Sequence, residues 1–292
     1  NAGVAILGPI LTDAVHTPQA PTPADSITVT ARLTPAFGPV ASARLRYRVM
    51  YNAEVELPFL DDGLNGDALA GDRIYGAVIP GGIATNGQMV RWFILAQDGA
   101  GNASRLPAFV DLINTPDSPE YFGTVMPNPT LTNALPVLHW FIQNPSAADN
   151  TTGTRCSLYY LGEFYDNLPI NLHGQSSSGF PKKSHNIDFH PGYNFRYKPG
   201  EARVNDFSLL TTYPDKAHMR NFLAYETYHD AGCPYHYVVP VRVEQNGAFW
   251  GDAHIVEKGD DNFLERVGLD PQGALYKMYN TFTTVATITP AE

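Results

Sequence analysis

Leu172 to Phe189 reads LHGQSSSGFPKKSHNIDF, a small-residue turn followed at once by paired lysines on an alternating segment. Gly174, Ser176, Ser177, Ser178 and Gly179, with Gln175 among them, let the backbone come close to a ligand, and the serines add hydroxyl donors beside the N–H groups that such turns aim at anions. Pro181 ends the turn. From Lys182 to Phe189 the residues alternate, which puts Lys183 on the face of Ile187 and Phe189, pointing inward, and Lys182 on the other face. The stretch therefore reads as a phosphate-holding hairpin. The plainer alternative is a hairpin connection whose lysines are solvated or protect a strand edge.

Working outward, LPVLHWFIQ (135–143), SLYYLGEFYDNLPINLHG (157–174) and KKSHNIDF (182–189) read as successive strands, the middle pair turning at Leu161-Gly162-Glu163. DKAHMRNFLAYETYHDAG (215–232) reads as a helix capped by Asp215 and stopped by Gly232. YHYVVPVRVEQNGAFWGDAHIVEKG returns to strands through a hairpin at Gln245-Asn246-Gly247, and DDNFLERVG after it reads as a short helix. Upstream, residues 1–125 read as an all-β sandwich whose strands are SITVTARL (26–33), ARLRYRVM (43–50), RIYGAVIP (73–80) and MVRWFILAQD (89–98). Thr115 to Leu135, with five prolines from 116 to 136 in and just after it, reads as a stiff connection.

The segment DDGLNGDALAGDRIYGAVIP (61–80) resembles the hairpin of bacterial immunoglobulin-like modules of exported proteins, in which an acidic loop precedes GD, an aromatic residue and IPG. Asp61, Asp62, Asn65, Asp67 and Asp72 offer hard oxygen ligands for Ca²⁺, though not at EF-hand spacing. The alternative is a polar turn whose Asp side chains bond nearby backbone N–H groups. Asn102-Ala103-Ser104 and Asn150-Thr151-Thr152 are glycosylation sequons on expected surface loops.

At 292 residues, with 43% hydrophobic content, 24 prolines and 25 glycines, the chain suits two strand-and-turn domains, 1–125 and 126–292. A net charge of -10, with no basic run longer than Lys182-Lys183, argues against nucleic acid or an anionic membrane as partner. No apolar run approaches the roughly 20 residues that span a bilayer, and the start NAGVAILGPILTD reads as processed or trimmed. The two cysteines, Cys156 and Cys233, are either free thiols or one disulfide. Cys156 opens the first strand of the second domain and Cys233 follows the helix stop, so the expectation is a bond between them.

From about Pro136 to Phe282 the order of motifs resembles the CotH kinase family, the spore-coat-protein-H-like proteins. That family's pattern of a Gly/Ser turn, P-K-K-S, M-R-N-x-L-A, Q-N-G with an aromatic and G, V-E, and G-L-D-x-x-G-A-L-Y-K appears here at Gly174 to Ser178, Pro181 to Ser184, Met219 to Ala224, Gln245 to Gly251, Val256-Glu257 and Gly268 to Lys277. Planctomycete-type relatives with a β-sandwich ahead of this domain look most similar. The resemblance implies a mainly β chain: an immunoglobulin-like sandwich, then the N-terminal lobe of an atypical protein kinase, an antiparallel sheet plus one long helix. It also implies ATP and Mg²⁺ in the full-length protein.

A kinase lobe needs a small-residue loop over the phosphates, an inward strand Lys, a helix carboxylate to meet it and a strand leading to a hinge. Gly174 to Ser178, Lys183 or Lys182, Glu226 and Ile255 to Lys258 (with Glu257) fill those places. On a 3.6-residue period Glu226 shares a face with Met219, Phe222 and Leu223, and a carboxylate in a buried stripe requires a cation, so a Lys–Glu226 pair is expected. Arg220 stands in the M-R-N motif, where it reaches phosphate or is merely solvated.

Family members carry N-x-D and W-D-x-D segments further downstream, whose aspartates are the expected catalytic and metal groups. Nothing resembling either occurs before Glu292, so the chain reads as lacking the catalytic half and as inactive by itself. Two functions follow. One is part of an enzyme phosphorylating Ser or Thr of coat or surface proteins. The other is an extracellular or cell-surface structural or adhesive protein that uses the fold as scaffold.

Overall fold

The computed structural model of the protein describes residues 7–112 and 116–276. Residues 1–6 at the start, the first residue of the proline-rich connection and Lys277 of the last motif lie outside the described residues. Up to residue 125 the strands are β1 (Ile10–Thr17), β2 (Ile27–Thr34), β3 (Val40–Val49), β4 (Val55–Pro58), β5 (Ile74–Ile79), β6 (Met89–Asp98), β7 (Ala103–Leu106) and β8 (Phe122–Val125). They form two sheets, β1-β2-β5 and β4-β3-β6-β7, with β8 also on β6. Alternation explains how they pack: Ile27, Val29, Ala31 and Leu33 of β2 meet Leu45, Tyr47 and Val49 of β3 and Val90, Trp92 and Ile94 of β6 in one shared core. The four expected strands are present, and β8 corrects the reading of 115–135 as a plain connection. Its short FGTV pattern is hidden among prolines, and pairing with Met89 to Trp92 is what makes it a strand.

The second half contains β9 (Val137–Phe141), α1 (Pro145–Ala148), β10 (Thr154–Tyr160), β11 (Glu163–His173), a 3₁₀ turn at Ser176–Gly179, β12 (Ser184–Asp188), β13 (Asp206–Thr211), α2 (Arg220–Asp230), β14 (Val238–Gln245), β15 (Ala248–Val256) and α3 (Asp261–Arg266). The strands close into a barrel in the order β10-β11-β12-β13-β15-β14-β9. Inward residues Trp140, Leu158, Ile187, Leu209, Val241 and Ile255 fill it. This corrects the expected antiparallel sheet with a long helix: β9 and β14 run parallel, and that pair, with β9 on β10, leaves no free edge.

Helix α2 has 11 residues, none of them buried. Its start is later than expected because Asp215 caps from a distance. The Asp215 carboxylate accepts from the backbone N–H groups of Ala217 (3.0 Å) and Arg220 (2.8 Å), so the residues between form a separate turn. Asp260 caps α3 by accepting from Phe263 N–H at 3.1 Å.

Sandwich and barrel meet through β6, β8 and β11. A Cβ on Gly123 of β8 would lie 2.5 Å from the Phe164 ring of β11, so only glycine lets the ring sit there. Met89, Val125 and Phe141 make a small apolar cluster at this junction. Beside it, Arg91 lies 3.4 Å from Asp166, with side chains 8% and 1% exposed.

Candidate functional site

On the outer wall of the barrel a cavity of about 590 Å³ lies between β11, β12, β13 and β15 on one side and α2 and α3 on the other. The strand period creates its polar wall. Asn186 pairs across the sheet with Asn171 on one side and Ser208 on the other, and Ser208 pairs with Val256. While Ile187, Leu209 and Ile255 point into the core, Asn186, Ser208 and Val256 point out to the cavity. His173 Nδ1 lies 2.8 Å from Asn186 Oδ1, Ser208 Oγ donates to that same oxygen at 3.1 Å, and Asn186 Nδ2 donates to Asn171 Oδ1 at 3.1 Å. The facing wall is aromatic. His236 stacks on Phe263 with centroids 4.3 Å apart, and meets Tyr225 edge-on at 5.6 Å.

The floor is the segment after β15. Glu257 is buried and held by Arg266, whose Nε and Nη2 donate to its two oxygens at 2.8 and 2.5 Å. Arg266 also donates to the Tyr235 carbonyl and lies over the Tyr235 and Tyr237 rings. Burial pushes the Glu257 carboxyl above the usual carboxylate range even against the Arg266 contact, while that two-point contact holds Arg266 above its ordinary value despite burial. Lys258 donates to Asp188 at 2.7 Å and lies 2.9 Å from Asp206. Burial lowers its pKa, but those two carboxylates outweigh it and hold the ammonium above the usual lysine range. Flat wall, polar wall and paired charges together suit a flat heteroaromatic ligand rather than a free anion.

Of the residues singled out from sequence, Glu257 lines this cavity. Gly174 follows the cavity's His173 into the 3₁₀ turn, where Ser178 N–H and Oγ both bond the Gln175 carbonyl. Lys183 closes over that turn, donating to the carbonyls of Ser178 (2.6 Å) and Phe180 (3.4 Å). Lys182 lies 4.1 Å over the Trp250 ring and 3.3 Å from the Asp252 carbonyl. Burial lowers its pKa, opposed by the Asp252 charge.

The expected lysine–Glu226 pair is corrected: no ion pair to Glu226 occurs among the described residues. The premise fails because α2 has no buried stripe. Leu223 is 54% exposed, Met219 39%, and Glu226 lines a separate cleft with Phe222, Tyr235 and Arg266. Arg220 is exposed beside Asp215 at 3.4 Å. The expected disulfide is corrected too. Both thiols are free, Cys156 buried in the barrel core and Cys233 exposed beyond α2.

In the acidic loop, Asp61, Asp67 and Asp72 bring carboxylate oxygens within 4.8 Å of one another, without Asp62 or Asn65. All three already accept backbone N–H bonds: Asp61 from Gly71 and Arg73, Asp67 from Gly63 and Leu69, Asp72 from Ile74.

Sequence reasoning missed His173, Asn186, Ser208 and Arg266 as site residues, and had Lys258 only as the end of the segment from Ile255. For the three on strands, His173, Asn186 and Ser208, the available signal was a polar residue at an outward position. For Ser208 it was masked because DFSLLT was not read as a strand.

Residues 170–289 match the family model described as CotH kinase protein, less than half of the chain. The cavity's lining residues, from His173 to Tyr276, all fall inside that match. No curated protein matches the chain. Among solved structures, the Br derivative of BhCBM56 covers 42% of this chain and 96% of its own, at 7% identity and a TM-score of 0.25. No helix among the described residues is long and apolar enough to cross a membrane.

Proposed function

We propose that residues 126–292 are the nucleotide-holding lobe of a CotH-type atypical protein kinase, preceded over 1–125 by an immunoglobulin-like module as in planctomycete-type members. The whole protein would transfer phosphate from ATP·Mg²⁺ to Ser or Thr of coat or surface proteins outside the cell. The observation that carries this reading is the coincidence of the cavity with the family match, with Glu257 where a hinge would follow the last strand of a kinase lobe. Phosphoryl transfer also needs carboxylates that hold metal and orient the acceptor hydroxyl, and among the described residues no such set lines the cavity beyond the paired Glu257.

The 1–292 chain should therefore bind ATP weakly and show no turnover. Calorimetric titration with ATP and Mg²⁺, alongside radiolabelled phosphate transfer to a Ser-rich peptide, tests both halves. Transfer abolished by Lys182→Ala with Lys183→Ala would sink the inactive-lobe reading.

A second reading, a surface scaffold that has lost nucleotide binding, is favoured by one observation: both lysines are spent on backbone carbonyls and neither meets Glu226. No heat and no melting shift with millimolar ATP, ADP or adenosine would select it.

A further inference from the structure

We propose that His173 selects the ligand of the cavity: it is locked as the Nδ1–H tautomer and presents its Nε2 lone pair, so that the ligand must supply an N–H or O–H donor there. The ligand class rests on the nucleotide reading above; the tautomer does not.

The lock follows from donor and acceptor counting. Asn186 Nδ2 donates to Asn171 Oδ1 at 3.1 Å, which turns Asn186 Oδ1 toward His173 Nδ1 at 2.8 Å and Ser208 Oγ at 3.1 Å. An amide oxygen only accepts, so Nδ1 carries the hydrogen, and a neutral imidazole then has a bare Nε2. Ser208 Oγ, 3.4 Å from His173 Nδ1, donates to the same oxygen and supports its orientation. The relay cannot easily slip. Asn171, Asn186 and Ser208 are direct cross-strand partners, and His173 is paired with Ser184 one pleat away, so four strand positions fix it.

His173 lines the cavity, and among the described residues no group hydrogen-bonds its Nε2. Across from it stand the flat faces of His236, Phe263 and Tyr225. A flat ring bearing an exocyclic amine satisfies both walls. A ring with a carbonyl at that position sets two lone pairs against each other. An adenine-type base is therefore accepted and a hypoxanthine-type base refused.

The test has two arms on the 1–292 chain. Long-range ¹H–¹⁵N correlation of labelled histidines at pH 7.5 should show His173 protonated at Nδ1 and bare at Nε2; an Nε2–H tautomer or an imidazolium overturns the lock. Asn186→Asp keeps the acceptor and should keep the tautomer, while Asn186→Leu should release it. If Asn186→Leu fails to fold, loss of order at His173 in Ser208→Ala serves instead, and an unchanged tautomer with full order there counts against the relay. In the second arm adenosine should bind about tenfold tighter than inosine, and His173→Phe should erase the difference. Equal binding overturns the selection and leaves the nucleotide reading standing. Binding of neither, with the Nδ1–H tautomer seen, overturns the nucleotide reading and the ligand class with it.

Discussion

Arg91 and Lys182 are both cations laid against aromatic rings, yet the protein satisfies them differently. At the junction of sandwich and barrel, Arg91 lies 5.1 Å from the Tyr51 ring centroid and 4.8 Å from that of Tyr121, is almost fully buried, and meets a carboxylate, Asp166. Asp166 in turn accepts from Ser157 Oγ and from the backbone N–H groups of Tyr121 and Glu120. At the lysine corner Lys182 is half-buried over Trp250 and donates to one carbonyl, and Lys183 donates to two. Where water is excluded a charge needs an opposite charge; where water still reaches, carbonyl dipoles and a ring face are enough. The junction is thus electrically closed, whereas the cations at the corner are met by carbonyl dipoles and a ring face instead of a carboxylate contact.

The largest expected effect breaks the junction. Arg91→Ala leaves a buried carboxylate without its cation and should destabilise the chain by about 3–5 kcal/mol. It should do so in one calorimetric transition, because the pair spans both halves of the molecule. Lys182→Ala, at a half-exposed site, should cost less than about 1 kcal/mol. Equal costs for the two, read from urea midpoints at constant slope, would erase the contrast.

Acid should find the same junction. His139 on β9 lies beside the junction's Phe141, 6.3 Å between rings, and burial lowers its pKa to about 4, only partly opposed by Glu244. The unfolded chain binds a proton near 6.5 that the native state refuses. Stability is therefore full above about pH 6.5 and falls as pH drops toward 4, by at most about 3 kcal/mol from this residue. Melting temperatures from pH 7.5 to 4.5 should show the fall, and His139→Gln should flatten it. An identical slope in the variant would assign the acid limb to other groups.

The sandwich was readable because a strand such as β2 buries every second residue from Ile27 to Leu33, and because MVRWFILAQD, buried almost throughout, occupies β6 residue for residue. The hairpin at Asn246-Gly247 was equally plain, since both residues adopt positive φ, 51° and 84°. Barrel closure was not readable, because β9 and β14 pair in parallel across about a hundred residues and no local pattern announces a long-range partner. The site was half legible. The motif order pointed to β12, β15 and the segment after it, which line the cavity, with Glu257 on its floor. The Lys–Glu226 pair came from assuming that an apolar-looking helix is buried, and RNFLAYETYHD instead spreads Phe222, Leu223, Tyr225 and Tyr228 around its circumference and leaves them half-buried or exposed.

A smaller effect sharpens the corner. A Cβ on Gly251 would lie 1.9 Å from Lys182 Nζ, and φ at Gly251 is 141°, so Gly251→Ala meets both a clash and a strained backbone. The clash is with the free end of a flexible chain and is relieved by letting Lys182 swing into water, so the cost should be about 1–2 kcal/mol, mostly strain. In a Lys182→Ala background the clash disappears and the strain stays. A double-mutant cycle should therefore give a coupling below about 1 kcal/mol. A larger coupling would mean that Lys182 is held more firmly than its carbonyl contact implies.

The smallest effect on stability, and the most direct report on the junction, comes from the thiols. Cys156 sits on β10 beside Ser157, whose hydroxyl donates to Asp166, and burial pushes its pKa up; Cys233 is exposed beyond α2. A reductant should leave the melting temperature unchanged, since there is no bond to break. A thiol reagent should label one cysteine quickly, Cys233, and the other only as fast as the barrel opens, because a protected group reacts through its open state. Ser157, next to Cys156, bonds the Asp166 that pairs with Arg91, so Arg91→Ala should raise the slow rate and leave the fast one alone, whereas Lys182→Ala should change neither. If both thiols prove unreactive in the native chain and the intact mass is two hydrogens short, the cysteines are bonded and Cys156 is no reporter. If Lys182→Ala speeds Cys156 as much as Arg91→Ala does, the corner carries structural weight comparable to the junction, and the separation between a charge met by a carboxylate and one met by dipoles fails at its base.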